Sequence, residues 1–105
     1  MATNPTLNDL QKAHLSCNVT EVDLATNDDV VVTAARAILL GIYVLIGNSA
    51  HAVIFKNTST TKLTIPASQA AGINIDCKGV IFDDNITVQS DDSATGKLLV
   101  FWSAI

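Results

Sequence analysis

The residues of this chain from which a catalytic or metal site is most readily built are two histidines, two cysteines and three pairs of adjacent aspartates. The lone residues are His14, Cys17, His51 and Cys77. Zinc sites draw their ligands from paired, closely spaced Cys and His residues, and these four do not form such a pattern. The sequence therefore predicts no metal site at these positions.

Nucleophilic catalysis has one weak candidate. The segment Gly47-Asn48-Ser49-Ala50-His51 begins like a nucleophile elbow, but it lacks the second glycine and no helix is predicted after it. A Cys–His pair built from either cysteine and His51 stays open, although cysteine is among the most buried residue types and a core thiol is the expected role. The chain has no glycine-rich phosphate loop. We therefore expect no enzyme activity, no catalytic residue and no cofactor.

The aspartate pairs are Asp28-Asp29, Asp83-Asp84 and Asp91-Asp92. Adjacent strand residues point to opposite faces, so such a pair does not present two carboxylates to one ion. Calcium loops place their oxygen ligands at alternate positions, which these pairs do not match. Aspartate is a common turn residue, and the pairs predict turns. The loop Ser90–Ser93 is the remaining candidate for an ion.

Composition excludes several function classes. The net charge is −4, and the single arginine, Arg36, and the five lysines are scattered, so the chain lacks the basic patch of nucleic-acid binders or of proteins held on anionic membranes. The longest apolar run, Ala37–Ile46, is 10 residues, about half of a membrane-spanning helix. The first thirty residues do not read as a signal peptide. We expect synthesis in a cytoplasm and two reduced, buried thiols.

From residue 30 onward, short apolar or alternating segments are separated by turn residues at intervals of about ten residues. Seven or eight strands are expected, in an antiparallel sandwich or barrel. Ile73–Cys77 and Val80–Phe82 are predicted as separate strands joined by a turn at Lys78-Gly79. Val53 and Phe55 are predicted to lie on one face of their strand and Ile54 and Lys56 on the other, and Leu63 and Ile65 are predicted to face the core. Residues 1–29 are polar and weakly patterned and predict an N-terminal arm with a possible short helix or strand, followed by a β-domain over residues 30–105.

Two segments are apolar without alternation, Ala37–Ile46 and Leu98–Trp102. Both faces of such strands must be covered, yet 105 residues cover little beyond the inner faces of one small sandwich. Charged residues make up only 15% of the chain, against roughly 25% in typical soluble domains. A second copy of the chain or another partner is expected on these strands. The predicted subunit-contact residues are Leu39, Tyr43, Leu45, Leu99, Phe101 and Trp102.

Three further segments carry a resemblance to a known group: Leu40–Val44 leading to Ala50–Phe55, then Gly79–Val88, and finally Ala94–Trp102. Together they resemble small β-sandwich proteins encoded beside the structural genes of tailed bacteriophages, over residues 36–103. The resemblance implies a virion protein of the capsid decoration or cement type, and proteins of this kind are often trimers on the capsid shell.

The resulting hypothesis is an all-β protein, an antiparallel β-sandwich of jelly-roll type with an extended N-terminal arm. It would form a homo-oligomer, specifically a trimer, on the capsid surface of a virion and contact the major capsid protein or another virion subunit. No nucleic-acid or membrane partner is expected. The alternatives are a carbohydrate-binding module, with Trp102 as the residue to test, and a small head–tail connector component.

Overall fold

The computed structural model describes residues 17–26, 29–48, 51–90 and 94–105. The described part of the chain contains eight strands and one short 3₁₀ helix, Leu24–Thr26, and no α-helix. The strands are β1 (Asn18–Asp23), β2 (Val30–Thr33), β3 (Ala37–Ile46), β4 (Val53–Asn57), β5 (Thr60–Ile65), β6 (Asn74–Phe82), β7 (Ile86–Gln89) and β8 (Lys97–Ala104). The predicted all-β class and the predicted number of strands are confirmed.

The strands form two four-stranded sheets whose neighbouring strands are all antiparallel. The first sheet has the order β1-β8-β3-β6, and the second has the order β2-β7-β4-β5. One cluster of buried side chains draws members from both sheets, so the two sheets pack face to face around a single core. The sandwich predicted from the sequence is therefore confirmed at this level, and the barrel is not formed.

Alternation decides which side chains enter the core in the second sheet. Val53 and Phe55 are fully buried, Ile65 is buried, and Leu63 packs against the same cluster. The predicted inward orientation of Leu63 and Ile65 is confirmed, and Val53 and Phe55 share one face of β4, as predicted. Pro66 directly follows β5, which suits a residue that has no N–H to give to a ladder.

β1 lies inside the segment predicted as an arm with a possible short helix or strand, and residues 18–23 pair with β8 over six consecutive positions. Its composition is polar because a sheet-edge strand needs few apolar residues. The possible helix and the rest of the predicted arm, residues 1–16, lie outside the described residues.

One predicted boundary is wrong, because β6 is one strand and not two. Lys78 and Gly79 have positive φ values of 54° and 76°, as a turn would require, but the chain continues in the same direction afterwards. The pairing of β6 with β3 shifts register at this point, between Leu39 and Gly41. The Lys78-Gly79 pair is thus a β-bulge, and the Asp76 carboxylate accepts a hydrogen bond from the Lys78 N–H at 2.9 Å.

Asparagine side chains tie the loops together at both ends of the sandwich. At one end, Asn57 Oδ1 accepts hydrogen bonds from the backbone N–H groups of Asp84 (2.7 Å) and Asn85 (3.2 Å), which joins the β4–β5 turn to the β6–β7 turn. At the other end, buried Asn48 donates to the Pro66 carbonyl and accepts from the Gln69 N–H at 2.7 Å. These contacts satisfy backbone groups that the strands leave open.

Candidate functional site: the outer face of the first sheet

Within the described part of the chain, the residues considered as catalytic candidates do not come together in one site. Among the described residues, no three His, Cys, Asp or Glu side chains are grouped in a way that could hold a metal ion. His51 borders a shallow surface hollow with Ala52, Ile54, Gln89 and Ser90, which contains no cysteine. Ser49 and Ala50, from the segment resembling a nucleophile elbow, lie outside the described residues, as does His14.

The aspartates act locally. Asp83 lies 3.6 Å from Arg36, and Asp29 lies 3.4 Å from the Lys56 ammonium group. Asp84 accepts a hydrogen bond from the side-chain amide of Asn57 at 3.3 Å. The predicted turn at Asp83-Asp84 is confirmed, since it separates β6 from β7. Asp28, Asp91 and Asp92 lie outside the described residues, and so does most of the loop Ser90–Ser93.

The two cysteines differ in environment, and both are unbonded thiols. Cys77 is buried in the core, as predicted, and burial together with the nearby Asp76 carboxylate raises its pKa to about 11. The prediction of burial is wrong for Cys17, which is exposed immediately before β1. A buried thiol with a raised pKa is a poor nucleophile, because the thiolate is the reactive form. This placement favours a packing role for Cys77.

The six predicted contact residues separate into two groups. Leu39 is fully buried in the core between the sheets, so it has no surface to offer a partner. Trp102 is partly buried against the same core, and its indole N–H donates to the Thr20 hydroxyl at 2.9 Å. Leu39 and Trp102 lie directly opposite each other in the pairing of β3 with β8, so they share one face of the sheet, and that face packs against the core. We therefore leave Leu39 and Trp102 out of the candidate surface.

The other residues of that set lie on the solvent side of the first sheet. Tyr43 of β3 is paired with Leu99 of β8, and Phe101 lies two residues further along β8 on the same face. All three are half-buried. Leu45 is 40% exposed, at an irregularity where the β3–β8 register shifts. The structure thus brings together four of the six predicted residues at one surface.

This surface, which we call the first outer face, is built from cross-strand rows. One row runs through Val19, Phe101, Gly41 and Asp76, and the next through Glu21, Leu99, Tyr43 and Asn74. A third row contains Ile38, Ser103 and Ile81, all of which are buried, so that end of the face is already covered within the chain. The accessible part of the face consists of the first two rows, in which Phe101, Leu99 and Tyr43 are apolar or aromatic and Glu21, Asp76 and Asn74 are polar residues at the edges.

Sequence analysis missed two exposed members of this surface. Val19 is 55% exposed and belongs to β1, which was assigned to the arm. Ile46 is 51% exposed at the end of β3, where it pairs with Lys97. The signal for Ile46 was present in the apolar run Ala37–Ile46. The signal for Val19 was only the possible short strand in the polar N-terminal segment, which does not show which face a single valine occupies.

Comparison of the chain with protein-family models, with curated proteins and with solved structures found no match. None of the described residues forms a helix with the length and apolar character that a bilayer crossing requires.

Proposed function

We propose that this protein is a structural subunit that assembles through the first outer face. One observation carries the proposal: exposed large apolar residues collect on and beside the first sheet. In the described part of the chain, Val19, Leu45 and Ile46 belong to its strands and Ile73 directly precedes β6, whereas only Val31 lies in the second sheet. Apolar surface grouped in this way is characteristic of interaction sites.

The chemistry of the face suits protein contact. Tyr43 and Phe101 supply aromatic surface, and aromatic residues are enriched in the centres of protein interfaces. Leu99 and Leu45 lie beside them, and Glu21 and Lys97 at the rim approach each other within 4.0 Å. A stable interface buries on the order of 1,600 Å² in total, shared between the partners. A second copy would present complementary apolar surface, so we take self-association as the first contact, and the resemblance to virion proteins that are often trimers is the reason for proposing a trimer.

We also infer that the sandwich is a jelly roll. The strand orders β1-β8-β3-β6 and β2-β7-β4-β5 support this inference, because a jelly roll consists of eight strands in two Greek keys divided between two sheets. The N-terminal arm belongs to the same proposal and falls on residues 1–16, outside the described residues. Jelly rolls occur in viral capsid proteins and lectins, so the fold is compatible with the proposed role without establishing it.

The specific role we propose is decoration or cementing of a phage capsid, with the major capsid protein or another virion subunit as the second partner. The resemblance of residues 36–103 to virion β-sandwich proteins supports this role. A cementing subunit acts by burying surface across junctions, which requires a contact face and no active site. The apolar first outer face supplies such a surface.

The experiment that tests self-association is light scattering on the protein as it leaves a sizing column. A trimer near three times the chain mass of 11.1 kDa is expected. Tyr43→Asp and Leu99→Asp should each convert it to monomer while the β-rich circular dichroism spectrum is kept. A charge in the centre of a buried interface is costly, which is the reason for the expected dissociation.

Ile54→Asp is the matched control, because Ile54 is a half-buried apolar residue on the solvent side of the second sheet. This variant should remain a trimer. A wild-type monomer, or equal dissociation of all three variants, would contradict assembly through the first outer face.

The virion role requires a separate measurement. The protein should co-sediment with capsids formed by the major capsid protein encoded in the same phage genome, and Leu99→Asp should bind them less. Particles that sediment without the protein under all conditions would contradict the decoration role and leave the self-association result unaffected.

A further inference from the structure

The first outer face contains a groove that the proposed self-association does not require. Phe101 of β8 forms one wall and Asp76 of β6 forms the other, and Gly41 of β3 lies in the row between them. The groove has a volume of about 390 Å³, within the usual range for small-molecule sites. We propose that it binds one pyranose ring of a sugar or glycan.

The floor of the groove exists because Gly41 lacks a side chain. Any other residue there would project a Cβ from the middle strand into the space between the walls, and that atom would lie 3.2 Å from the Ile75 carbonyl oxygen. β8 and β6 lie on either side of β3, so their backbones are two strand spacings apart, roughly 9–10 Å. The result is a slot with a backbone floor, open to solvent and wide enough for a six-membered ring.

The two walls offer the two kinds of contact that a sugar makes. The face of the Phe101 ring is electron-rich and attracts the weakly positive C–H groups of a pyranose. On the opposite wall, Asp76 and Asn74 are exposed and lie two residues apart, on the same side of β6. A carboxylate accepts hydrogen bonds, and an amide both donates and accepts, so the pair matches neighbouring hydroxyl groups.

The carboxylate is oriented before a ligand arrives. Asp76 Oδ1 accepts the Lys78 N–H at 2.9 Å, within the β-bulge of β6. This contact holds the carboxylate at the edge of the sheet and reduces the ordering cost of binding. The bulge, an interruption of regular pairing, thus helps to shape the polar wall.

Other ligand classes fit the groove less well. Its lining residues are Cys17, Leu40, Gly41, Asn74, Ile75, Asp76 and Phe101. None of these described residues is basic, so within the described part of the chain a phosphate or carboxylate ligand would face Asp76 without a counter-charge. A purely apolar ligand would bury the charge of that carboxylate with only the Lys78 N–H as its partner. An amine would suit Asp76 and Phe101, but it only donates hydrogen bonds and so leaves the donor group of Asn74 unused.

The experiment is a titration of the ¹⁵N-labelled full chain with glucose, galactose, mannose and N-acetylglucosamine, each followed by two-dimensional NMR. Concentrations should reach roughly 50 mM, because so small a ligand is expected to bind in the millimolar range. At least one sugar should give saturable shifts of the Gly41, Asn74, Asp76 and Phe101 amides. The Ile54 and Gln89 amides, on the second sheet, should not move.

Two conservative variants identify the contacts. Phe101→Leu keeps apolar bulk and removes the ring, and it should weaken binding about tenfold, the upper range for an aromatic contact. Asp76→Asn keeps an oxygen to accept the Lys78 N–H and removes the charge, and it should weaken binding several-fold. Gln89→Asn, on the solvent side of the second sheet, is the control and should bind like the wild type.

The proposal is overturned if none of the four sugars gives saturable shifts in the groove, or if Phe101→Leu binds as the wild type does. Saturable shifts of the same amides with methylammonium chloride, and with no sugar, would overturn it in favour of an amine site. Phe101 also belongs to the proposed contact surface, so the titration is repeated on Tyr43→Asp, in which that surface is expected to be open. Saturable shifts in this variant support the groove and their absence there overturns it, whatever the outcome of the trimer test.

Discussion

The two sheets of this sandwich share one core but present different surfaces to solvent. On the first outer face, Leu99 is paired with Tyr43, and Phe101 lies beside them. On the second sheet, the corresponding central rows contain Lys56 beside Thr87, and Gln89 beside Ile54. The Lys56 ammonium group also reaches Asp29 at 3.4 Å. The second sheet therefore presents mainly polar and charged side chains to solvent, whereas the first sheet presents mainly apolar ones.

This difference explains two sequence signals that otherwise conflict. β4 and β5 alternate apolar and polar residues, as strands with one solvated face do. β3 and β8 do not alternate, and they are neighbours in the middle of the first sheet. Their continuous apolar sequence thus marks one particular surface of the molecule. If both outer faces of the sandwich were exposed to water, β3 and β8 would not need a continuous apolar sequence.

The largest effect should separate the inner and outer sides of the first sheet. Leu39→Ala removes a fully buried side chain and should lower the free energy of unfolding by about 2–5 kcal/mol. Leu99→Ala removes a half-buried one on the opposite side and should cost about 1 kcal/mol in the folded monomer. Urea denaturation at several protein concentrations measures both and separates folding from association. Equal losses would place Leu99 in the core and break the comparison.

A second prediction probes the core beneath the first outer face without altering either outer face. The Cys77 thiol has a pKa raised to about 11 by burial and by Asp76, against 9.0 ordinarily. The unfolded chain therefore loses this proton at a lower pH than the folded chain. Stability is fully present below pH 9 and should fall by about 2–3 kcal/mol as the pH rises to 11.

Denaturant melts between pH 8 and pH 11 measure this effect, and Cys77→Ala is the reference. Every other group is the same in the two proteins, so only the difference between the two slopes reports Cys77. The variant should be less stable at pH 8 but should lose less stability on the way to pH 11. Identical slopes would show that the thiol ionises equally well in the folded chain.

The smallest expected effect on stability gives the cleanest comparison of the two faces. Val19 and Val31 are both strand valines, 55% and 57% exposed, on the first and second sheets respectively. Val19→Ser and Val31→Ser should each change the free energy of unfolding by no more than about 0.5 kcal/mol. Only Val19→Ser should raise the concentration at which the oligomer dissociates, measured by analytical ultracentrifugation. An equal effect of both substitutions would mean that the faces do not differ in function.

Sequence patterns alone were enough to predict the all-β class, most of the strands, the inward residues of β5 and the division of β4 into two faces. Those features depend on alternation and turn residues, which are local properties of the chain. The sequence also identified β3 and β8 as strands that need cover on both sides. Four of the six residues chosen on that basis share one surface.

Which side of each apolar strand faces the core follows from strand pairing and packing, and the sequence did not predict it. In a continuous apolar run, nothing local distinguishes Leu39 from Tyr43. Which of them faces the core depends on the register with β8 and on the β-bulge of β6 that shifts the pairing between Leu39 and Gly41. The same holds for the groove, because Phe101, Gly41 and Asp76 are far apart in sequence and adjacent only across strands. The strand β1 also depends on the tertiary structure. Its six polar-rich residues form a strand because β8 offers an edge with which they can pair.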